Sequence, residues 1–581
     1  MISYRVELFR PEAHLYRVNL SIPDPSPGQR VGLPVWIPGS YLVREFARHL
    51  SSLQATQGGR AVGVRQLDKA NWQVDCTADG ALELVYLVYA YDSSVRAAWL
   101  DRGRGFFNGT SLFLRVDGCE QQPHEMVLRE LPKGWQVATA MRPAKIDARG
   151  RGRYLADDYD ELVDHPVELG DFWRGHFVAH GIEHEFVVRG ALPDFDGERL
   201  LQETQRICEA EIEFWHADRK PPFQRYLFLL NAVEDGYGGL EHRASTALIA
   251  NRRDLPQRGR AAASEGHVKL LGLISHEYFH TWNVKRLRPA EFERYDYRSE
   301  NYTELLWFFE GFTSYYDDLL LLRSGLIDRA TYMRLVGKTI GGVLAAPGRK
   351  LQSVAQSSFD AWVKYYRQDE NTPNATISYY TKGALVALAI DLTLRSEKRG
   401  SLDQVMRALW QRSTGGPISE ADIAQALQQV SGRSFAEELA AWVHGTDDLP
   451  LLELLERFGI TMQHEAATLA ERLGLKVSES ALTGVRLTQV WRGGVGEASG
   501  LAPGDELLGV DDWRLRRLDD ALRLLSPGQS GQWLVSRDQR LLRLPFVMPD
   551  ESAAAPAAVK LDAQTSPAKP AAALQKAWLA G

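Results

Sequence analysis

Cysteine is scarce here: three residues in 581, Cys76, Cys119 and Cys208. Odd in number and far apart, they suggest neither a disulfide framework nor a Cys-ligated zinc site, and a reducing compartment is the simpler expectation. Long apolar runs are missing too; none reaches the roughly 18 residues of a membrane-crossing helix. Residues 1–10 alternate polar and apolar side chains where a secretion signal would carry an unbroken apolar core. The expectation is a cytoplasmic protein with no membrane partner. There is no extended Lys/Arg run, and 68 basic against 75 acidic residues leave a net charge of −7, so no nucleic-acid partner is expected. A content of 44% hydrophobic and 25% charged residues excludes a fibrous or wholly disordered chain. At roughly 100 to 200 residues per domain the length allows about three to five domains, which excludes a single small binding module.

What is present changes character along the chain. Up to residue 170, short period-two segments such as 4–8, 81–91 and 111–117 predict an antiparallel β domain. From about 200 a mixed α/β region follows, with helices predicted over 200–216, 265–285 and 302–323 and a buried strand over 225–232. Residues 326–450 read as helical, with capping pairs at Ser401 with Gln404 and Ser434 with Glu437. Short β segments, including 484–491 and 532–537, return over 455–548. The last 31 residues, 551–581, hold 12 alanines and 3 prolines with little apolar bulk, and are expected to be disordered.

The sharpest motif is His276-Glu-Tyr-Phe-His280 inside an apolar helical run. Four helical residues advance about 400°, so both imidazoles fall on one face, one turn apart, and can grip one metal ion. Glu277 lies about 100° round from His276, a position for a proton-accepting base and not for a ligand. With 14 histidines in 581 residues, the pattern arises by accident about 0.02 times in such a chain. A catalytic zinc takes three protein ligands and keeps a fourth position open. Glu310 is the candidate third ligand, because it sits among large apolar side chains in 305–316, where a bare carboxylate is costly and a cation offsets the cost. The plainer reading of that stretch is a core-facing aromatic stripe with one exposed Glu. Gly238-Gly239-Leu-Glu241-His242 can form an edge strand whose Glu241 carboxylate holds a substrate's free amine. Tyr380, in Tyr379-Tyr-Thr-Lys-Gly383, can donate to an oxyanion or simply be half of a buried Tyr pair.

In this order the motifs resemble the zinc aminopeptidases of the aminopeptidase N group, the gluzincins. Two departures stand out: 29 residues separate His280 from Glu310, more than that group usually has, and His242 stands where Asn would. A closer match accounts for both. Trp36-Ile-Pro-Gly-Ser-Tyr41, Phe107-Asn-Gly-Thr-Ser111, Gly238 to Thr246 and His276 to Pro289 are similar to the glycyl aminopeptidase family, metallopeptidases carrying a PDZ domain. Residues 494–511 resemble a PDZ signature.

The resemblance implies a multidomain α+β chain: an N-terminal antiparallel β domain (1–170), a thermolysin-like zinc catalytic domain (171–325), a helical domain (326–450) and a PDZ-like β module (455–548). It implies one zinc on His276, His280 and Glu310, Glu277 as general base, Tyr380 as oxyanion donor, and Glu241 with Gly238 and Gly239 as the amine-binding element. The implied activity is removal of small N-terminal residues, Gly or Ala, from peptides with a free N-terminus. Asp317 or Asp318 are candidates to orient a ligand imidazole, and the PDZ-like module is expected to take a peptide or an interdomain ligand near 473–475. The rival readings are a zinc endopeptidase and a PDZ-type scaffold that has lost catalysis.

Overall fold

The computed structural model describes residues 1–260, 262–550, 558–564 and 567–580. They form two compact units, Met1–Tyr302 with Trp410–Ile418 and Thr303–Leu409 with Ser419–Gly581.

The first unit begins with strand β1 (Ile2–Arg10), whose alternation buries Ile2, Tyr4 and Val6 on one face. It lies in an eight-stranded sheet, pairing antiparallel with β2 (Leu15–Ile22) and parallel with β3 (His124–Leu128), Ile2 opposite His124. The N-terminal sheet is therefore not purely antiparallel as the sequence suggests. A parallel partner needs a long connection, and here more than a hundred residues and two four-stranded sheets intervene or follow. One apolar core joins these sheets to Leu227, Leu229, Leu240 and Ala247 of the next.

That next sheet has five strands in the order β4 (Trp173–Ala179), β5 (Ile182–Arg189), β6 (Arg225–Val233), β8 (Ser245–Asn251) and β7 (Tyr237–Glu241). β5, β6 and β8 run parallel; β7 returns antiparallel to β8 and forms an edge. Helices α1 (Gly197–Trp215) and α2 (Glu265–Phe279) pack with it. α2 starts where the Ser264 hydroxyl accepts from His267 N–H. It ends at Phe279, not at residue 285. The apolar pattern runs on through Trp282 and Val284, which are buried, but Val284 has φ 128° and its N–H turns back to the Leu287 carbonyl.

In the second unit, α3 (Leu306–Arg323), α4 (Arg329–Ala345) and α5 (Thr381–Ser396) are packed together. α3 begins four residues after the predicted start, its Trp307 N–H satisfied by the Ser358 hydroxyl at 2.9 Å. The Ser401–Gln404 capping pair is formed, 3.1 and 3.4 Å. The Ser434–Glu437 pair is not: the helix starts at Ala436, whose N–H takes the Ser434 hydroxyl. Residues 475–547 make an antiparallel sheet with its own core around Trp533.

The C-terminal residues correct the expectation of disorder. β9 (Ile460–His464) pairs antiparallel with β10 (Val559–Ala563), and α6 (Lys569–Ala580) buries Trp578 completely. Composition missed this because one tryptophan carries the helix: its indole donates to the Tyr315 hydroxyl at 2.9 Å, and Arg323 reaches its carbonyl. Residues 551–557, 565, 566 and 581 lie outside the described residues. Among those described, no helix is long and apolar enough to cross a membrane.

Candidate active site

The last turn of α2 carries His276 and Glu277, and His280 caps its C-terminal end, as the spacing requires. The two Nε2 atoms approach to 3.0 Å. Tetrahedral zinc, with Zn–N bonds of about 2.05 Å, sets such nitrogens about 3.3 Å apart, so the pair fits a shared ion. His280 is oriented by its other nitrogen, Nδ1, which lies 2.8 Å from the Asn283 carbonyl in the turn after the helix. The Nδ1 partner of His280 is thus a backbone carbonyl three residues further along the chain. Asp317 and Asp318 are half-buried on α3.

Glu310 is 2% exposed, midway through the first half of α3. Its neighbour Gly311 meets Gly383 of α5 backbone to backbone: a Cβ on Gly311 would stand 2.5 Å from the Gly383 Cα. This close crossing gives the glycines of both motifs one shared reason. It also sets Tyr380, the residue before α5, in the field of Glu310. Tyr380 stacks on Tyr379 and Tyr365 at 4.8 and 5.3 Å. Burial first, and then the Glu310 carboxylate, pushes its phenol well above the usual tyrosine range; it stays a proton donor throughout the working pH range. Among the described residues one group of His, Cys, Asp and Glu could hold a metal ion: His276, His280 and Glu310, whose ligand atoms all lie within 4.8 Å of one another. Two imidazoles and a buried carboxylate are a donor set suited to zinc.

The edge strand β7 brings the other predicted residues to α2. Gly239 has no side chain because Glu277 fills the space: a Cβ there would stand 2.1 Å from Glu277 Oε1. Glu241, two residues along and so on the same face, is 4% exposed. Its carboxylate rests on Gly39 of the Trp36–Tyr41 segment, where a Cβ would meet both oxygens within 2.6 Å and where φ is +89°. Gly238 has φ 152° and contributes backbone only. Behind Glu241, the buried His242 approaches Asp164 at 3.2 Å and Lys285 reaches the same oxygen at 2.7 Å. Burial alone would raise the Asp164 carboxyl, but Lys285, His242 and Arg243 hold it well below the usual range, while burial lowers the His242 imidazole. Sequence reasoning had no signal for Gly39, Asn283 or Lys285 beyond their place inside recognised segments, and none at all for Asp164.

Residues 3–171 match the Peptidase M61 N-terminal domain model, and residues 269–386 match the M61 glycyl aminopeptidase model. A crystal structure of an aminopeptidase N family protein from Idiomarina loihiensis is 36% identical over 100% of both chains, with a TM-score of 0.93. The chain belongs to the M61 glycyl aminopeptidase family. It is accordingly a metallopeptidase of the aminopeptidase type. An M1 zinc metallopeptidase from Deinococcus radiodurans is a more distant likeness, 16% identical over 78% of this chain and 94% of that one, with a TM-score of 0.49. No curated protein sequence matches the chain.

Proposed function

We propose that this metallopeptidase binds one zinc ion through His276, His280 and Glu310 and removes N-terminal residues, glycine and alanine foremost, from peptides with a free amine. The observation that carries the reading is the convergence of those three ligand atoms within 4.8 Å, on the helix turn that also presses Glu277 against the edge strand. What a bound zinc supplies is Lewis acidity, enough to polarise a carbonyl and to let a water lose its proton near neutral pH. The chain's own residues do the rest. Glu277, 5% exposed and held on Gly239, accepts the water proton and later returns it to the departing amine. Tyr380, kept protonated, donates to the oxyanion; such a donor contributes about 3 kcal/mol. Glu241 receives the substrate's ammonium through a charge-assisted hydrogen bond. The preference for small first residues rests on the family description.

The 455–548 module is read as PDZ-like: it holds an antiparallel sheet with short flanking helices, and Leu475–Ser480 is an edge strand that suits an added peptide strand.

The experiment is a comparison of free and N-acetylated peptides. Wild type should cleave only the free form, and Glu241→Ala should lower kcat/KM on it by about 2 to 4 kcal/mol. Equal cleavage of both forms by wild type would remove the exopeptidase reading and favour an endopeptidase.

A further inference from the structure

The outer side of β7 is occupied by Arg96, from the turn before the strand Ala98–Leu100. His242 N–H bonds the Ser245 carbonyl, and the register sets Glu241 opposite Thr246 and Gly239 opposite Leu248. In an antiparallel pair hydrogen-bonded and non-bonded positions alternate, so the backbone groups of Gly239 and Glu241 point away from β8, to the free edge. The Gly239 carbonyl accepts there from Arg96 Nη2 at 3.1 Å. Arg96 is half-buried, has no ion pair among the described residues, and buries its Nε–H without an acceptor. A half-buried guanidinium with no carboxylate beside it has charge-assisted donors to offer an anionic ligand.

Arg96 is also held firmly. Buried Asn108 donates from Nδ2 to the carbonyls on either side of it, Val95 at 2.8 Å and Ala97 at 3.3 Å, and its own N–H bonds the Ala97 carbonyl at 3.1 Å. Asn108 belongs to the Phe107–Ser111 motif, which the hydrolytic chemistry does not otherwise use. The Trp36–Tyr41 motif cradles the Glu241 carboxylate, so each motif supports one charged group along the same strand.

The strand positions beside which those two groups lie are spaced like the ends of a small molecule. Gly239 and Glu241 are two residues apart, about 6.8 Å along a strand, and an extended dipeptide spans about 7 Å from amine to carboxylate. We infer that Arg96 is a specificity-determining residue that receives the α-carboxylate of a dipeptide whose ammonium sits on Glu241. The inference rests on the aminopeptidase reading and deepens it. The Arg96 fork offers paired N–H donors that suit a carboxylate. By capping the Gly239 carbonyl it also denies a longer chain its next edge-strand bond, so turnover should fall with peptide length.

The test compares Ala-Ala with Ala-Ala amide, which lacks only the terminal charge. Wild type should favour the acid at least tenfold in kcat/KM, mostly through KM, and should favour Ala-Ala over Ala-Ala-Ala. Arg96→Gln should lower the acid-to-amide ratio at least tenfold, with Arg96→Lys between the two. A wild-type ratio near one, or a ratio unmoved by Arg96→Gln, overturns the assignment while leaving the aminopeptidase reading intact. Failure of that reading shows separately, as no release of alanine from any of the three substrates.

Discussion

Replacing Gly239 with alanine tests the placement of the general base more finely than removing the base does. The added methyl would stand 2.1 Å from Glu277 Oε1, 2.2 Å from Cδ and 2.5 Å from Cγ. Ordinary contact begins near 3.4 Å, so the carboxylate must move by more than 1 Å. Its backbone φ lies outside the left-handed region, so alanine is tolerated by the main chain and the clash alone acts. A misplacement of about 1 Å costs roughly 100-fold in rate, or about 2.7 kcal/mol. Gly239→Ala should therefore lose about two orders of magnitude in kcat on alanine p-nitroanilide. Zinc content and unfolding temperature should stay near wild type, because the ligand imidazoles are anchored by the Asn283 carbonyl and the helix itself. Retention of wild-type kcat within threefold would refute the assignment of Glu277 to this position.

Two further outcomes follow from burial. Trp578, fully enclosed and bonded to Tyr315, should cost about 3 to 5 kcal/mol when cut to alanine; unchanged urea unfolding would mean that the C-terminal helix does not dock. His184 is pushed from 6.5 down to about 4 by burial, its Nε2 2.8 Å from the Tyr278 hydroxyl. Between those pH values the unfolded chain takes up a proton that the folded chain refuses. The contribution of His184 is thus complete above pH 6.5 and falls away towards pH 4, by about 3 kcal/mol. Urea titrations at pH 7 and 4.5 should show a smaller acid loss in His184→Gln; an equal loss would contradict it.

Local features of the site were legible because their spacing is forced by geometry. Two histidines four apart must share a helical face, and Gly-Gly-Leu-Glu between strand-like segments reads as an edge. The glycine pair Gly311 and Gly383 was visible as motif but not as a contact, since 71 residues separate the two in sequence. Long-range partners left no periodic trace: Arg96 and Gly239 lie 143 positions apart, and Gly39 meets Glu241 from a turn near the start of the chain. The end of α2 was misjudged because Trp282 and Val284 continue an apolar pattern while the backbone has already turned. The C-terminal helix was hidden by its alanines, whose low bulk says nothing about one well-placed tryptophan.

The central claim is that His276, His280 and Glu310 hold one catalytic zinc. Its most direct measurement is the metal content of purified protein alongside alanine release. Wild type should carry one equivalent of zinc, and Glu310→Gln should lose both zinc and activity. Glu277→Gln should keep the zinc and lose only the activity. Full activity after exhaustive chelation, or one equivalent of zinc with normal turnover in Glu310→Gln, would contradict the account.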